Sequence, residues 1–516
     1  MKSFQLTRST MIYIILSLIG AFTVVYYYNL QPGYTDSFYH YNGAVSIATG
    51  KGFVDPYIWT YIGAPKTFPI PSHLYWMPGT SIVASLGMFI FGANYFGARF
   101  GLALCLWGAM LLAYWLGQRF GGSTRYAWLA GILTLFSGFF TRQWGQTDTY
   151  APYAFFGAMA LVFIGLGISS EEKNWRWWIF AGAFAAFGHL VRSDGLLLLL
   201  TGWSVLLWPF DRERYEKRVF WLIPFTFAYI LVMSPWFIRN LNSVGTILPT
   251  GGTQAIWFRE YNDLFNYPPD ASPQTLFAGG AGAFIDSRVT ATFTNNGIVF
   301  QSLAYEGAIV FTLLILLGLW NRRKEPFFRG IWIFALGLHV AFAWVFTFPG
   351  IRGGFWHGSA ALVPIWAIVG LLGLDDAIDW IAKRRRTWRP QTAKKLFSVI
   401  LTLIVVLLTF KISRQQNTYG FRNGEALQEL LPEGSRVMIN DPATLYYYTG
   451  MSGVVLPNES PEVALEIAKI YDIDYIVIEG KGGVPAPLYF EEDETPDFLI
   501  PVKNDKGLRI YAFNRN

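Results

Sequence analysis

The sequence predicts a polytopic α-helical membrane protein with about eleven spans and a small α/β domain at the C-terminal end. Of the 516 residues, 53% are hydrophobic and only 14% are charged, whereas a soluble protein carries about 25% charged residues. The apolar residues are grouped, because long stretches of the chain contain no charged side chain. Residues 414–516 differ from the rest, since they are acidic and alternate short helical and strand patterns.

Uncharged stretches mark the candidate spans, because a charged side chain is costly at the centre of a bilayer. A spanning helix needs about 20 mostly apolar residues. We place one span in each of eleven stretches: 8–36, 99–119, 125–142, 148–171, 176–192, 194–211, 218–239, 306–322, 329–352, 352–375 and 395–411. The fifth and sixth are short and are expected to form a tight helical hairpin. The first helix, over about residues 9–29, is too long for a cleaved signal peptide and is interpreted as a signal anchor.

The apolar stretch 79–92 is expected to lie at the membrane interface, because it is too short to span and follows Pro78. The loops 117–125, 171–176, 211–218, 321–329 and 379–395 then fall on the same side as the N-terminus. These loops hold most of the basic residues, including the run 383–386. The positive-inside rule places that side in the cytoplasm. We therefore expect a multi-pass plasma-membrane protein with long extracytoplasmic loops at 30–96 and 239–297 and a short one at 142–149.

The chain divides into a transmembrane module, residues 1–413, and an extracytoplasmic domain, residues 414–516. Residues 416–516 carry 8 basic and 16 acidic side chains, so their charge of −8 leaves +14 for the rest. A basic membrane part suits loops that face anionic lipid headgroups and gives no support to nucleic-acid binding. Helices are predicted over 425–431 and 461–470, and strands over 436–440, 475–479 and 508–513. Without a phosphate-binding glycine motif or a catalytic signature, this domain either shields or gates the outer face or is a passive cap.

Two acidic residues share the outer surface in the predicted topology. Asp36 follows the first span, and Asp148 precedes the fourth. A carboxylate at this depth can accept a proton from an incoming nucleophile, but each residue also suits the N-cap of a helix. The two interpretations carry about equal weight, and one residue can do both.

Basic residues are expected at the same level. Arg192 and Asp194 lie in the turn of the short hairpin, where an arginine can bind a lipid phosphate or pair internally with the aspartate. Arg239 ends the seventh span, and Arg352 with His357 lies between the ninth and tenth. Any of these side chains can also be a simple interface anchor. The single cysteine, Cys105, excludes an intrachain disulfide and a thiolate metal cluster, and the five histidines lack paired metal-ligand spacing.

The order of these features resembles the GT-C superfamily of membrane glycosyltransferases. The nearest branch is glycosyltransferase family 39, the protein O-mannosyltransferase and aminoarabinose-transferase-like group. The matching segments are TDSFYH at 35–40, the interfacial stretch 78–92, TDTY at 147–150, PWFIRN at 235–240, NDPA at 440–443 and YYYTG at 446–450. The similarity covers nearly the whole chain, and each motif is short, so the order and sidedness carry the resemblance.

The resemblance implies an inverting transfer of a hexose or pentose from a polyprenyl-phosphate donor to a glycan, lipid or protein acceptor in the cell envelope. Asp36 would be the general base, and Asp148 would position the acceptor or orient cationic groups. Arg192 and Arg352 would stabilise the leaving phosphate. The remaining candidates for substrate binding are Tyr39, His40, His73, Asp194, Arg239 and His357. The family branch implies no metal and no cofactor beyond the lipid-linked donor.

The sequence departs from the family pattern at two places. Ser37 stands where the family often has a second acidic residue, and Met77 or His73 stands where some relatives carry a basic residue. Two alternatives therefore remain. An oligosaccharyltransferase-like GT-C enzyme shares the first-loop aspartate, although its Trp-Trp-Asp motif is absent here. A transporter or lipid-linked-glycan flippase is the other, although transporters usually show inverted repeats and polar residues at the midplane.

Overall fold

The computed structural model describes residues 7–170, 175–208, 218–303, 309–385, 387–413, 424–479, 488, 495–505 and 507–515. The expected cytoplasmic loops lie partly outside the described residues, at 171–174, 209–217 and Arg386. The helices of the first 413 residues are α1 Arg8–Tyr28, α2 Thr35–Ala48, α3 Gly79–Phe91, α4 Tyr95–Gly121, α5 Thr124–Leu135, α6 Phe139–Gln143, α7 Tyr150–Ser169, α8 Trp175–Val191, α9 Leu196–Leu207, α10 Leu222–Val244, α11 Thr250–Gln254, α12 Pro273–Phe277, α13 Gly280–Leu303, α14 Ile309–Asn321, α15 Arg329–Val340, α16 Phe355–Ser359, α17 Val363–Ala382 and α18 Pro390–Ser413.

Every predicted stretch contains a helix, but not every helix has the length of a span. Seven helical segments in the described part of the chain are long and apolar enough to cross a membrane. Helices α5, α8, α9 and α14 have only 12, 17, 12 and 13 residues. The predicted multi-pass architecture is therefore confirmed, while length and composition support seven spans and not eleven.

Helix α3 has 13 residues, as expected for a segment too short to span. It packs closely on α4 through glycines. A Cβ atom at Gly87 would lie 2.2 Å from the carbonyl oxygen of Gly97, and one at Gly101 would lie 2.2 Å from that of Val83. Only glycine permits this backbone approach, so α3 is fixed against the bundle.

The two ends of the bundle carry different polar contacts. At one end, the hydroxyl of Tyr126 donates to Asp375, Arg322 pairs with Asp376 at 2.6 Å, and Lys394 pairs with Asp379 at 2.8 Å. These contacts join the start of α5 and the end of α14 to the end of α17 and the start of α18. They bring the loops 321–329 and 379–395 together with the start of α5 at one end of the bundle.

The C-terminal residues form a five-stranded mixed sheet with the order β4-β3-β5-β7-β6. Strands β3, β5 and β7 and helices α19 and α21 were predicted. The three-residue β4, the edge strand β6 and helix α20 were not, because short buried runs carry no clear period. The elements are α19 Gly424–Leu430, β3 Val437–Ile439, α20 Pro442–Thr449, β4 Gly453–Val455, α21 Pro461–Tyr471, β5 Tyr475–Ile478, β6 Leu499–Asp505 and β7 Leu508–Phe513.

The C-terminal sheet docks on the first long loop, which contains the small hairpin β1 Val54–Asp55 and β2 Ile70–Pro71. Ile58 forms a parallel bridge with Val454: its N–H donates to Gly453 at 2.9 Å, and its carbonyl accepts from Val455 at 2.9 Å. The hydroxyl of Tyr61 also donates to the carbonyl of Val455 at 2.5 Å. The first loop and the C-terminal sheet therefore share one hydrogen-bonded unit.

We expect Lys51 and Lys324, both exposed, to face opposite sides of the membrane, because Lys51 follows α2 and Lys324 lies in the α14–α15 loop. Single Lys51→Cys and Lys324→Cys variants should differ in labelling by a membrane-impermeant maleimide, so that only one of them reacts in intact cells. The wild-type chain is the control, since its one cysteine, Cys105, is buried. Labelling of both variants from the same side would contradict this arrangement.

Candidate functional site

A cavity of about 1220 Å³ opens at the end of the bundle that carries the C-terminal sheet. Its walls come from the start of α2, the loop before α7, the turn between α8 and α9, and the segment 341–357. Its lining combines polar and apolar side chains. Six of the ten predicted site residues belong to the polar part of the lining: Asp36, Asp148, Arg192, Asp194, Arg352 and His357.

Asp36 lies in the first turn of α2 and belongs to the polar part of the cavity lining. Burial and the neighbouring charge of Asp148 raise the pKa of Asp36 to about 6, although His357 and Arg192 oppose the shift. The side chain of Trp76 also donates a hydrogen bond that favours the ionised form. The pKa of the Asp36 carboxyl thus lies close to neutral pH, which suits a general base.

Asp148 is held as an anion by its surroundings. Burial alone would raise its pKa, but the charge and hydrogen bond of His357, together with the Tyr34 hydroxyl, hold the pKa well below the usual range. Nδ1 of His357 lies 3.5 Å from Oδ1 of Asp148, and Tyr34 donates to Oδ2. The two carboxylates of the site therefore have opposite pKa shifts, a pattern that separates a proton acceptor from a fixed charge.

Arg192 forms the internal pair with Asp194 that the sequence allowed. Its Nε pairs with Oδ1 of Asp194 at 2.7 Å, and its terminal nitrogens donate to Thr149 Oγ1 at 3.2 Å and the carbonyl of Gly354 at 3.4 Å. Although burial opposes it, the charge of Asp194 raises the pKa of Arg192. The internal pair exists, and it also holds a permanent positive charge at the wall of the cavity.

Arg352 is the more accessible cation of the site. Its guanidinium lies 4.2 Å from the centre of the Tyr261 ring, and the side chain is exposed. Among the residues that the structure describes, no carboxylate forms an ion pair with it. A guanidinium without an anionic partner can bind a phosphate group in a bidentate manner.

The other four predicted residues, Tyr39, His40, His73 and Arg239, do not line the cavity. The Tyr39 hydroxyl donates to Asp55 at 2.6 Å, and Arg239 donates to two backbone carbonyls at 2.9 and 3.0 Å. Burial lowers the pKa of His40 to about 4 and that of His73 well below its usual value. Neutral, enclosed imidazoles do not offer a charge to a substrate, so these residues form a supporting network behind the site.

Several lining residues were not among the sequence candidates. Tyr34 donates to Asp148, and Tyr75, Trp76 and Tyr261 form aromatic walls. Their signal was the aromatic-rich composition of loops 30–96 and 239–297, which does not distinguish a lining ring from a packed one. The apolar part of the lining includes Leu196, Leu197, Leu200, Ile298, Phe342, Val345, Phe346 and Ile412.

Asp36, Asp148 and His357 also offer the ligand set of a cation site. One ligand atom from each lies within 4.8 Å of the others. Two carboxylates and one imidazole suit a transition metal such as Mn²⁺ or Zn²⁺. Tyr34 and the backbone N–H of Thr149 already donate to the two oxygens of Asp148, so the same geometry serves a hydrogen-bonded carboxylate without a metal.

Comparison with known proteins finds a partial family match and solved structures with a similar helical fold. Residues 76–238 match the family described as dolichyl-phosphate-mannose-protein mannosyltransferase. The chain aligns with ArnT from Cupriavidus metallidurans bound to undecaprenyl phosphate at a TM-score of 0.58 and 13% identity, over 98% of each chain. It also aligns with the archaeal oligosaccharyltransferase AglB from Archaeoglobus fulgidus, in complex with an inhibitory peptide and a dolichol-phosphate. This alignment has a TM-score of 0.58 and 14% identity, and it covers 91% of this chain and 69% of AglB.

One curated protein also matches part of this sequence. Over 173 residues, 33% of this chain, the sequence is 23% identical to undecaprenyl phosphate-alpha-4-amino-4-deoxy-L-arabinose arabinosyl transferase 2 of Pseudomonas fluorescens. The matched region spans 30% of that relative's length. The resemblance to family 39 and the aminoarabinose-transferase-like group is therefore confirmed, with the family match itself confined to residues 76–238.

Proposed function

We propose that this protein is an inverting glycosyltransferase that moves a sugar from a polyprenyl-phosphate donor to an acceptor on the extracytoplasmic side of the plasma membrane. The observation that carries the proposal is the cavity itself, whose lining combines the carboxylates of Asp36 and Asp148 and three arginines with a set of apolar side chains. A lipid-linked sugar phosphate has the same combination of polar and apolar parts. The relatives support this donor class, since the compared ArnT structure contains undecaprenyl phosphate and the compared AglB structure contains dolichol-phosphate.

Asp36 is the proposed general base. Its carboxylate removes the proton of the acceptor hydroxyl while the oxygen attacks the anomeric carbon, and the sugar–phosphate bond breaks on the opposite face. The transition state resembles an oxocarbenium ion, by analogy with glycoside hydrolysis. Asp148, held ionised, orients His357 and the acceptor beside Asp36.

The leaving group is an ionised phosphate, so it needs positive charge and no proton. Arg352 is the proposed phosphate ligand, because it lines the cavity and has no ion-pair partner among the described carboxylates. Arg192 is already bonded to Asp194, Thr149 and Gly354. Its proposed role is to offset the charges of Asp36 and Asp148 and to stabilise the phosphate from the wall of the cavity.

Replacing Asp36 with Asn removes the base and keeps the shape of the side chain. We expect transfer of labelled sugar from a polyprenyl-phosphate donor to fall by about 10³-fold, within the range for general base catalysis. Expression and thermal stability in detergent should be unchanged. Asp270→Asn, which alters an exposed carboxylate of the third outer loop, is the matched control, and full activity in Asp36→Asn would remove this residue from the mechanism.

The pKa of Asp36 predicts the acidic limb of the pH profile. The base works when deprotonated, so kcat/KM should rise with pH through about 6 and not through the ordinary carboxyl range near 4. Asp148→Asn removes a negative neighbour that raises this pKa, so the limb of its residual activity should move to lower pH. An unchanged limb in Asp148→Asn, measured beside Asp270→Asn, would show that the titrating group is not Asp36.

An oligosaccharyltransferase-like, metal-dependent enzyme is the second candidate, favoured by the ligand set of Asp36, Asp148 and His357. We expect the proposed reaction to survive dialysis against EDTA, because the two arginines supply the charge that the leaving phosphate needs. The measurement is the initial rate before and after chelation, with Mn²⁺ or Mg²⁺ added back. A rate that falls by more than about tenfold and returns with the metal would favour the second candidate.

A further inference from the structure

The C-terminal domain contacts the helix that carries Asp36. The side-chain nitrogen of Asn42, one and a half turns along α2, donates to the carbonyl of Ala443 at 2.9 Å. The Phe38 ring lies 4.8 Å from the ring of Tyr447, centre to centre. The hydroxyl of Thr35, next to Asp36, donates to Oδ2 of Asp441 at 2.6 Å.

Helix α2 does not cap its own N-terminus. Tyr34 occupies the N-cap position and its side chain accepts no bond from the helix, whereas most helix starts use a Ser, Thr, Asp or Asn at this position. Instead, Tyr34 donates to Asp148 of the transmembrane module and Thr35 donates to Asp441 of the C-terminal domain. Asp36 therefore follows two residues whose side chains are anchored in different parts of the protein.

The Asp441 carboxylate is itself fixed. It caps helix α20, since the backbone N–H of Thr444 donates to Oδ1 at 3.0 Å and the Thr444 hydroxyl donates to Oδ2 at 2.6 Å. Asp441 does not line the cavity. Its bond to Thr35 thus fixes the start of α2 relative to α20, although Asp441 itself does not line the cavity.

We propose that Asp441 is a positioning residue for the Asp36 base, so that the C-terminal domain takes part in catalysis and is not a passive cap. This inference rests on the proposed function, because it assigns a role relative to the proposed base. A base must be held within a fraction of an ångström of its productive geometry, and misplacement by about 1 Å can cost 100-fold in rate. Anchoring the residue directly before Asp36 limits rotation of the first turn of α2.

Thr35→Val removes the hydroxyl while keeping the volume and leaving the cap of α20 intact. We expect kcat to fall by about tenfold with KM for the donor nearly unchanged, because the base is misplaced while binding is retained. Thr35→Ser keeps the hydroxyl and should retain most of the activity. Tyr448→Phe is the control, since it removes a different bond between the same domain and the first loop, from the Tyr448 hydroxyl to Gln31 at 2.7 Å, and should leave kcat unchanged.

Asp441→Ala tests the same link from outside the cavity. If Asp441 acts through Thr35, the double variant Thr35→Val/Asp441→Ala should be no slower than the slower single variant, because both remove one interaction. Additive losses would mean that Thr35 contacts substrate directly, which overturns the proposal. So would a Thr35→Val enzyme with normal kcat while Asp36→Asn is inactive; an active Asp36→Asn would instead defeat the proposed function.

Discussion

Two neighbouring carboxylates at one end of an apolar helix bundle, Asp148 buried and Asp36 half-buried, set the main constraint on this structure. Asp36 and Asp148 repel each other in a medium of low polarity, so the fold must supply nearby positive charge and hydrogen-bond donors. His357 and the Tyr34 hydroxyl meet this need for Asp148, whereas His357 and Arg192 only partly offset the burial of Asp36. The unequal supply leaves one carboxylate as a fixed anion and the other as a proton acceptor.

This site could be predicted from the sequence because the free-energy cost of a charged side chain in the bilayer exceeds most local conformational preferences of the chain. Each of the eleven uncharged stretches contains a helix, and charge parity put Asp36, Asp148 and Arg192 at the same end. The 24-residue helix α13 was missed, because most of it falls in the predicted outer loop 239–297. Helix lengths were less predictable, since α5 and α9 stop after 12 residues within longer uncharged stretches. The absence of a charge does not show where a helix begins or ends.

The predicted site was least accurate where it relied on nearness along the chain. Tyr39 and His40 lie one turn beyond Asp36 on α2. Their side chains form hydrogen bonds with Asp55 and Ser81 and do not line the cavity. Thr35 and Asp441 were missed for the opposite reason, because 406 positions separate them in the sequence. Contacts of this range depend on how the C-terminal domain docks, which no local pattern records.

The bridge between Ile58 and Val454 has a consequence for biogenesis. The first loop is synthesised early, whereas β4, to which it pairs, leaves the ribosome near the end. Until β4 has been made, the main-chain N–H and C=O groups of Ile58 lack the partners that they have in the folded protein. The first loop therefore completes its hydrogen bonding only after most of the chain has been synthesised.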